Sequence, residues 1–185
     1  MKSDSNIAIK EVMSSDELKK FVMFPHTLYK NSKYWVAPII KEELEVLNKE
    51  TNPVFNNAVA NYFLAYIDGE IVGRIAALIN WIEVKDLKKK KVRFGWFDFI
   101  DDQNVSKALL EKVIEIGKKN NLEFIEGPVG FSNMDKAGML IKGFEKKNTM
   151  ITMYNYSYYQ DHMKAHGYSK LAEWVEYELK IANYD

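Results

Sequence analysis

The sequence predicts a mixed α/β domain built on a mostly antiparallel central sheet flanked by helices. Three observations carry this. Residues 93–131 read as an apolar strand, a polar turn, an amphipathic helix and a second apolar strand. Residues 61–78 hold two apolar runs around Asp68-Gly69, a dipeptide that supplies the positive φ angles of a tight hairpin. The chain has 185 residues, of which 47% are hydrophobic and 14% aromatic, enough to bury one core but short of the length that forces a split. A single domain over 1–185 is expected, with a loop-rich insertion at 129–153.

In chain order, residues 7–12 alternate apolar and polar as a half-buried first strand. Ser14 and Glu17 form a capping box for a helix carrying Leu18, Phe21 and Val22 on one face, which Pro25 should end or bend. Ile40, Leu44 and Leu47 mark a second helix reaching roughly to Lys49. The hairpin follows, and then a lysine run within 83–91 that reads as a solvated loop. Gly95, inside the strand at 94–100, marks a bulge or a close backbone approach.

In the central helix, Leu109, Val113 and Ile116 recur on one face, with Leu110 and Ile114 beside them. Asp102 or Asn104 caps its start, Lys118 and Lys119 sit at its negative end, and Asn120 or Asn121 provides a left-handed exit. A short strand at 124–128 leads into the glycine-containing segment 129–153, whose length marks it as a lid or pocket wall. Residues 156–166 suit a short helix closed by Gly167, and 171–181 alternate as a last strand.

Lys plus Arg and Asp plus Glu both number 26, so no basic excess points to nucleic acid. The absence of cysteine removes disulfides, thiolate metal sites and cysteine nucleophiles. With no apolar run near the roughly 18 residues of a membrane span and no leader pattern, the cytoplasm is the expected compartment. The expected partner is a small molecule or another protein. An open sheet edge after Ile181 could also pair with a second copy as a homodimer.

The element order resembles the GNAT acyltransferase superfamily over nearly the whole chain. Several separated motifs resemble more narrowly a bacterial GNAT-like family that includes the bacterial ceramide synthases. They are Tyr34-Trp35-Val36-Ala37-Pro38, Asn52-Pro53-Val54-Phe55, Gly73-Arg74-Ile75-Ala76-Ala77, Gly95-Trp96-Phe97, Gly127-Pro128, the spaced set Asp135, Gly138, Leu140-Ile141 and Gly143-Phe144, and Tyr154-Asn155 with Tyr158-Tyr159. Members of that family are longer, so the resemblance implies that a C-terminal half lies outside this chain. It also implies an acyl-CoA-dependent N-acyltransferase that uses acetyl-CoA or a longer acyl-CoA, no metal, and a small-molecule or lipid amine.

The superfamily holds the pyrophosphate on a Q/R-x-x-G-x-G/A turn. Gln103-Asn104-Val105-Ser106-Lys107-Ala108 stands there, with glutamine and alanine matching and serine replacing the first glycine. A helix N-terminus offers unpaired amides and a positive dipole end, which suit a phosphate. Asp101 and Asp102 would repel it unless they bind elsewhere. Phe97, Phe99 and Ile100 are expected to belong to the cofactor site, with main-chain amides of the bulged strand near Phe97 to Phe99 stabilising an oxyanion.

Amine acylation also needs a base and an acid. Asp98 and Glu126 are carboxylates in apolar strands, each of which either lines a cleft or faces solvent. Met163 stands where the superfamily often has its acidic tyrosine, so Tyr158 and Tyr159 are the substitutes, with a core aromatic role as the plainer reading. His162 and His166 lie four apart, but without a third ligand they read as an exposed pair rather than a metal site, and His26 reads as a turn residue. The departures at Ser106, Asp101, Asp102 and Met163 support a second reading, a non-catalytic GNAT-fold module that binds a ligand or a protein.

Overall fold

A computed structural model describes residues 6–132, 135–149, 152–177 and 179. Strand β1 (Ala8–Glu11) is followed by helices α1 (Ser15–Leu28) and α2 (Ile40–Val46). A 3-10 turn at Pro53–Asn56 leads into the hairpin of β2 (Ala58–Ile67) and β3 (Glu70–Asn80). Then come α3 (Trp81–Lys85), β4 (Lys91–Phe99), α4 (Gln103–Lys119), β5 (Phe124–Glu126) and α5 (Tyr158–Ala165). The sheet runs β1-β2-β3-β4-β5. The first three pairings are antiparallel and β4 with β5 is parallel.

Side chains alternate between the two faces of the sheet, and each face carries its own core. Ile75, Ala77 and Ile79 of β3 pack with Phe94, Phe99, Leu109 and Val113 beneath α4 and α5. Ala76 and Leu78 pack with Phe21, Val22 and Leu47 beneath α1 and α2. The hairpin turns on Asp68 and Gly69, at φ 50° and 86°. Both halves of the capping box form, with Glu17 N–H donating to Ser14 and Ser14 N–H donating to Glu17. Asp102 caps α4, and Asn121 takes the left-handed exit at φ 55°.

Pro25 neither ends nor visibly interrupts α1, which runs on to Leu28. Proline leaves the carbonyl one turn earlier without its helical donor. Here that carbonyl, Phe21 O, accepts instead from Arg74 Nη1 at 2.9 Å. The lysine run divides as well. Lys88, Lys89 and Lys90 are exposed, but Lys91 is buried between Glu83 (3.1 Å) and Glu126 (2.6 Å). Beside it the buried Arg93 pairs with Glu83 at 2.7 Å and donates to the carbonyls of Gly130 and Phe131. Those acids extend β4 back to Lys91, three residues before the expected start.

The expected last strand does not form over 171–177. Leu171, Trp174 and Tyr177 stand exposed there, as does Leu179. Alternation supplies a strand's faces, but a strand also needs a neighbour for its backbone groups. Glu178 and residues 180–181 of that prediction lie outside the described residues.

Candidate active site

Strand β4 carries the irregularity that shapes the site. Arg74 pairs with Asp98 and Ala76 with Gly95, so two steps along β3 meet three along β4. Trp96 absorbs the extra residue at φ 45°, a conformation rare for a bulky side chain. Gly95 is required beside it, because a Cβ there would lie 2.6 Å from the carbonyl oxygen of Val129.

The bulge sets Asp98 on the face covered by α1. Its Oδ2 accepts from Arg74 Nε at 2.8 Å and forms an ion pair with Nη2, also at 2.8 Å. Its Oδ1 accepts from the hydroxyl of Tyr29 at 2.9 Å. A carboxylate has about four lone-pair sites, so these partners leave at least one. Tyr29 caps the end of α1, and its oxygen also lies 2.9 Å from that of Tyr159 on α5. A hydroxyl has one hydrogen to give. Since Tyr29 donates to Asp98, Tyr159 must donate to Tyr29, and Tyr159 in turn accepts from the Phe99 amide at 3.1 Å. One chain of hydrogen bonds thus runs from Arg74 and Asp98 through two tyrosines to the β4 backbone.

Beyond Phe94, whose carbonyl accepts from Val129 N–H, β4 has no strand neighbour on its β5 side among the described residues. Two tyrosines cover that edge. Tyr159 takes the Phe99 amide, and Tyr158 donates to the Phe99 carbonyl at 2.5 Å. The Phe99 amide expected to serve an oxyanion is therefore occupied here by Tyr159. Burial, followed by the Asp98 charge, pushes Tyr29 and Tyr159 well above the usual phenol range. Tyr158 is raised by burial and then by Asp101.

Asp98, Arg74 and Tyr29 open onto a cavity of about 200 Å3. Trp35, Trp96 and Tyr154 give it aromatic walls, and it reaches the gap between β4 and the chain after β5 at Gly95, Pro128 and Val129. Part of the segment at 129–153 also walls it, through Asp135, Lys136 and Asn148. Asn148 ties that segment to the other wall by accepting from Val36 N–H at 2.6 Å and donating its own N–H to Tyr34 O at 3.1 Å. Glu43 accepts from the Trp96 indole at 2.7 Å and lies 3.9 Å from Lys136. Glu126 lines no part of this cavity and is bound to Lys91.

At the start of α4, Asp102 accepts from the Asn104 amide at 2.8 Å. Asp101 is drawn away by His162, whose Nε2 lies 2.9 Å from Oδ1. Val105 and Ser106 are buried. Ser106 Oγ lies 2.8 Å from both His162 Nδ1 and His166 Nε2, and 3.1 Å from the carbonyl of Gln103. A serine hydroxyl has one hydrogen to give, so at least one of the two rings donates to Ser106. The expected exposed histidine pair is instead an internal clamp between α4 and α5, with His162 buried. Burial, then His162 and Lys107, lower His166 below its usual value. Among the described residues no group of acids and histidines is placed to hold a metal.

Gln103, Asn104 and Lys107 face outward and border a groove of about 390 Å3 floored by Leu110, Ile114 and Tyr168. Glu111 and His166 line the same groove, and Asp102 takes the amides of Asn104, Val105 and Ser106, so the donors turned to the groove are the side chains of Gln103, Asn104 and Lys107, while those of Val105 and Ser106 are committed to the interior. Phe97 and Phe99 are core rings, and Ile100 and Ala108 are half-buried. Two residues of the Asp98 network were missing from the sequence-based set. Arg74 had a signal, as a charged residue within an apolar strand. Tyr29 had none, because it sits in an aromatic, turn-rich stretch and its partners lie 69 and 130 residues away.

No family model matches the chain. It is 29% identical over 172 residues to protein YghO of Escherichia coli (strain K12), covering 91% of this chain and 44% of that protein. It is 25% identical over 177 residues to a bacterial ceramide synthase of Caulobacter vibrioides, covering 95% and 46%. The chain thus spans less than half the length of these curated relatives. Among solved structures, an acetyl-CoA-bound predicted acetyltransferase from Clostridium acetobutylicum superposes with a TM-score of 0.57 at 13% identity, covering 94% of this chain and 96% of that one. The aminoglycoside acetyltransferase AAC(6')-Iy, in complex with a bisubstrate analogue, gives 0.55 at 14% identity, covering 96% and 100%. Among the described residues no helix is long and apolar enough to cross a membrane. The chain therefore has the fold of the GNAT acetyltransferases, and in sequence it resembles the GNAT-like family that includes the bacterial ceramide synthases.

Proposed function

We propose that the chain is the acyltransfer domain of an acyl-CoA-dependent N-acyltransferase. The observation that supports this most is the coupling of a cavity carboxylate, Asp98, through Tyr29 to Tyr159 on the bulged strand of a GNAT fold. The acceptor is a primary amine held in the cavity of about 200 Å3. Asp98 is the base, since it lines that cavity with an acceptor site to spare, whereas Glu126 is engaged by Lys91. Tyr159 is the acid. Tyr158 fixes the strand edge by holding the Phe99 carbonyl.

Gln103, Asn104 and Lys107 hold the phosphates of acyl-CoA at the end of α4, where the dipole favours negative charge. Ala108 and the main chain at Val105 and Ser106 support the turn from inside, and the main chain of Phe97, Phe99 and Ile100 borders the acyl end. When bound, acyl-CoA supplies an activated carbonyl and a sulfur leaving group. Similarity to a bacterial ceramide synthase supports a long-chain amine as the first acceptor to try.

Thermal unfolding with acetyl-CoA and with a long-chain acyl-CoA tests the reading. A ligand specific for the folded state, at 100 times its dissociation constant, adds about 2.7 kcal/mol. A rise in melting temperature with at least one of the two is expected. No shift with either contradicts the reading and leaves the binding-module alternative.

A further inference from the structure

Tyr29 joins the acceptor cavity to the far side of the bulged strand. Its hydroxyl touches Asp98 within the cavity lining and Tyr159 outside it, at 2.9 Å each. Trp35, Tyr154 and Tyr156 pack around its ring with centroids 5.1 to 5.6 Å away, which fixes the hydroxyl between the two. Arg74 holds the opposite oxygen of Asp98 and keeps Oδ1 turned to Tyr29.

We propose that Tyr29 is a positioning residue that relays a proton, coupling deprotonation of the acceptor amine at Asp98 to delivery of the Tyr159 proton to the departing sulfur. The inference rests on the acyltransfer reading. At rest Asp98 draws the Tyr29 hydrogen, so Tyr29 draws that of Tyr159, and the acid is turned away from the reacting centre. A proton arriving on Oδ1 reverses both hydroxyls: Asp98 donates to Tyr29, Tyr29 to Tyr159, and Tyr159 is free to donate outward. The order of events is thereby set by the network.

The balance closes. The acceptor ammonium first releases one proton to solvent and exposes its lone pair. The C–N bond then forms, the nitrogen gives a second proton to Asp98, and the C–S bond breaks with its electron pair on sulfur. Asp98 passes its proton to Tyr29, Tyr29 passes its own to Tyr159, and Tyr159 gives its own to sulfur. The products are an amide and a free thiol, and every relay group returns to its starting state.

The relay also removes an energetic obstacle. Burial and the Asp98 charge make Tyr159 a weaker acid than an ordinary phenol. A thiol is ordinarily a stronger acid than a phenol, so unassisted transfer to a thiolate runs uphill. Simultaneous reprotonation by Tyr29 avoids leaving a buried phenolate.

The test is Tyr29→Phe, which keeps the ring packing, assayed in the intact protein with an alkyl thioester and with an aryl thioester whose thiolate leaves unprotonated. With the alkyl thioester kcat should fall about 100-fold or more, the scale of general acid–base catalysis, at unchanged KM. With the aryl thioester the loss should nearly vanish. An equal loss with both, or no loss with either, overturns the relay. Without any acyl-CoA, the Tyr159 ring-carbon NMR resonance should move in both Tyr29→Phe and Asp98→Asn. If it stays in place in both, the hydrogen-bonded chain is refuted directly. A wild-type protein that acylates no amine sinks the acyltransfer reading and the relay with it, whereas an active wild type with an unimpaired Tyr29→Phe sinks the relay alone.

Discussion

Arg74 shows how far one residue's role exceeds its own strand. It neutralises Asp98 and also satisfies the Phe21 carbonyl that Pro25 leaves open. Arg74→Ala would leave a buried carboxylate and a helix carbonyl without their partner, and breaking a buried pair costs about 3–5 kcal/mol. Arg74→Lys should recover little, because a lysine cannot reproduce the guanidinium fork. Urea midpoints check both. Protons act at the same scale. His26 and His166 sit below their usual values, His26 by burial and then the Arg74 charge, His166 by burial and then His162 and Lys107. The unfolded chain therefore binds more protons than the folded one as pH falls from about 6.5 toward those lowered values. Stability should be fully present above that range and decline through it on acidification. Melting temperatures between pH 7.5 and 5 check this, with a shallower slope expected in His26→Phe. Asp98 was legible in the sequence as a carboxylate in an apolar strand. Its partners were not, since pairing Arg74 with Asp98 needs the strand register, and the approach of Tyr29 needs the packing of α1 on the sheet.

At the scale of elements, local signals held where a segment determines its own state. The capping box of α1, the Asp-Gly hairpin and the apolar face of α4 depend on neighbours within a few residues, and all three formed. Predictions failed where a distant group decided the outcome. Arg74 carries α1 through Pro25, Glu83 and Glu126 bury Lys91, and Ser106 turns two histidines inward. The serine that interrupts the glycine pattern is thus explained as the pin between α4 and α5. Ser106→Ala should cost about 1–3 kcal/mol, the penalty for leaving buried polar groups unpaired. Amide hydrogen exchange in α5 should accelerate more than in β3. Equal acceleration in both would contradict a pin local to the two helices.

In the whole molecule, the sheet separates two concave surfaces. The cavity of Asp98 lies toward α1 and α2, and the groove of Gln103 and Lys107 lies along α4 beside α5. Tyr29 and Tyr159 connect the two sides at the point where β4 loses its strand neighbour. Fold class and the order of the main elements from β1 to α5, apart from the short α3, were readable from periodicity, because a two-faced sheet imposes it along the chain. The cavity was not, since its walls come from segments spread between residues 25 and 154. The most direct test is to incubate the intact protein with a long-chain primary amine and acetyl- or long-chain acyl-CoA, then measure amide by mass and free thiol together. Equal amounts of both are expected, with a loss of about 100-fold or more in Asp98→Asn. Thiol release without amide, or an Asp98→Asn variant as active as wild type, would contradict acyl transfer at this site.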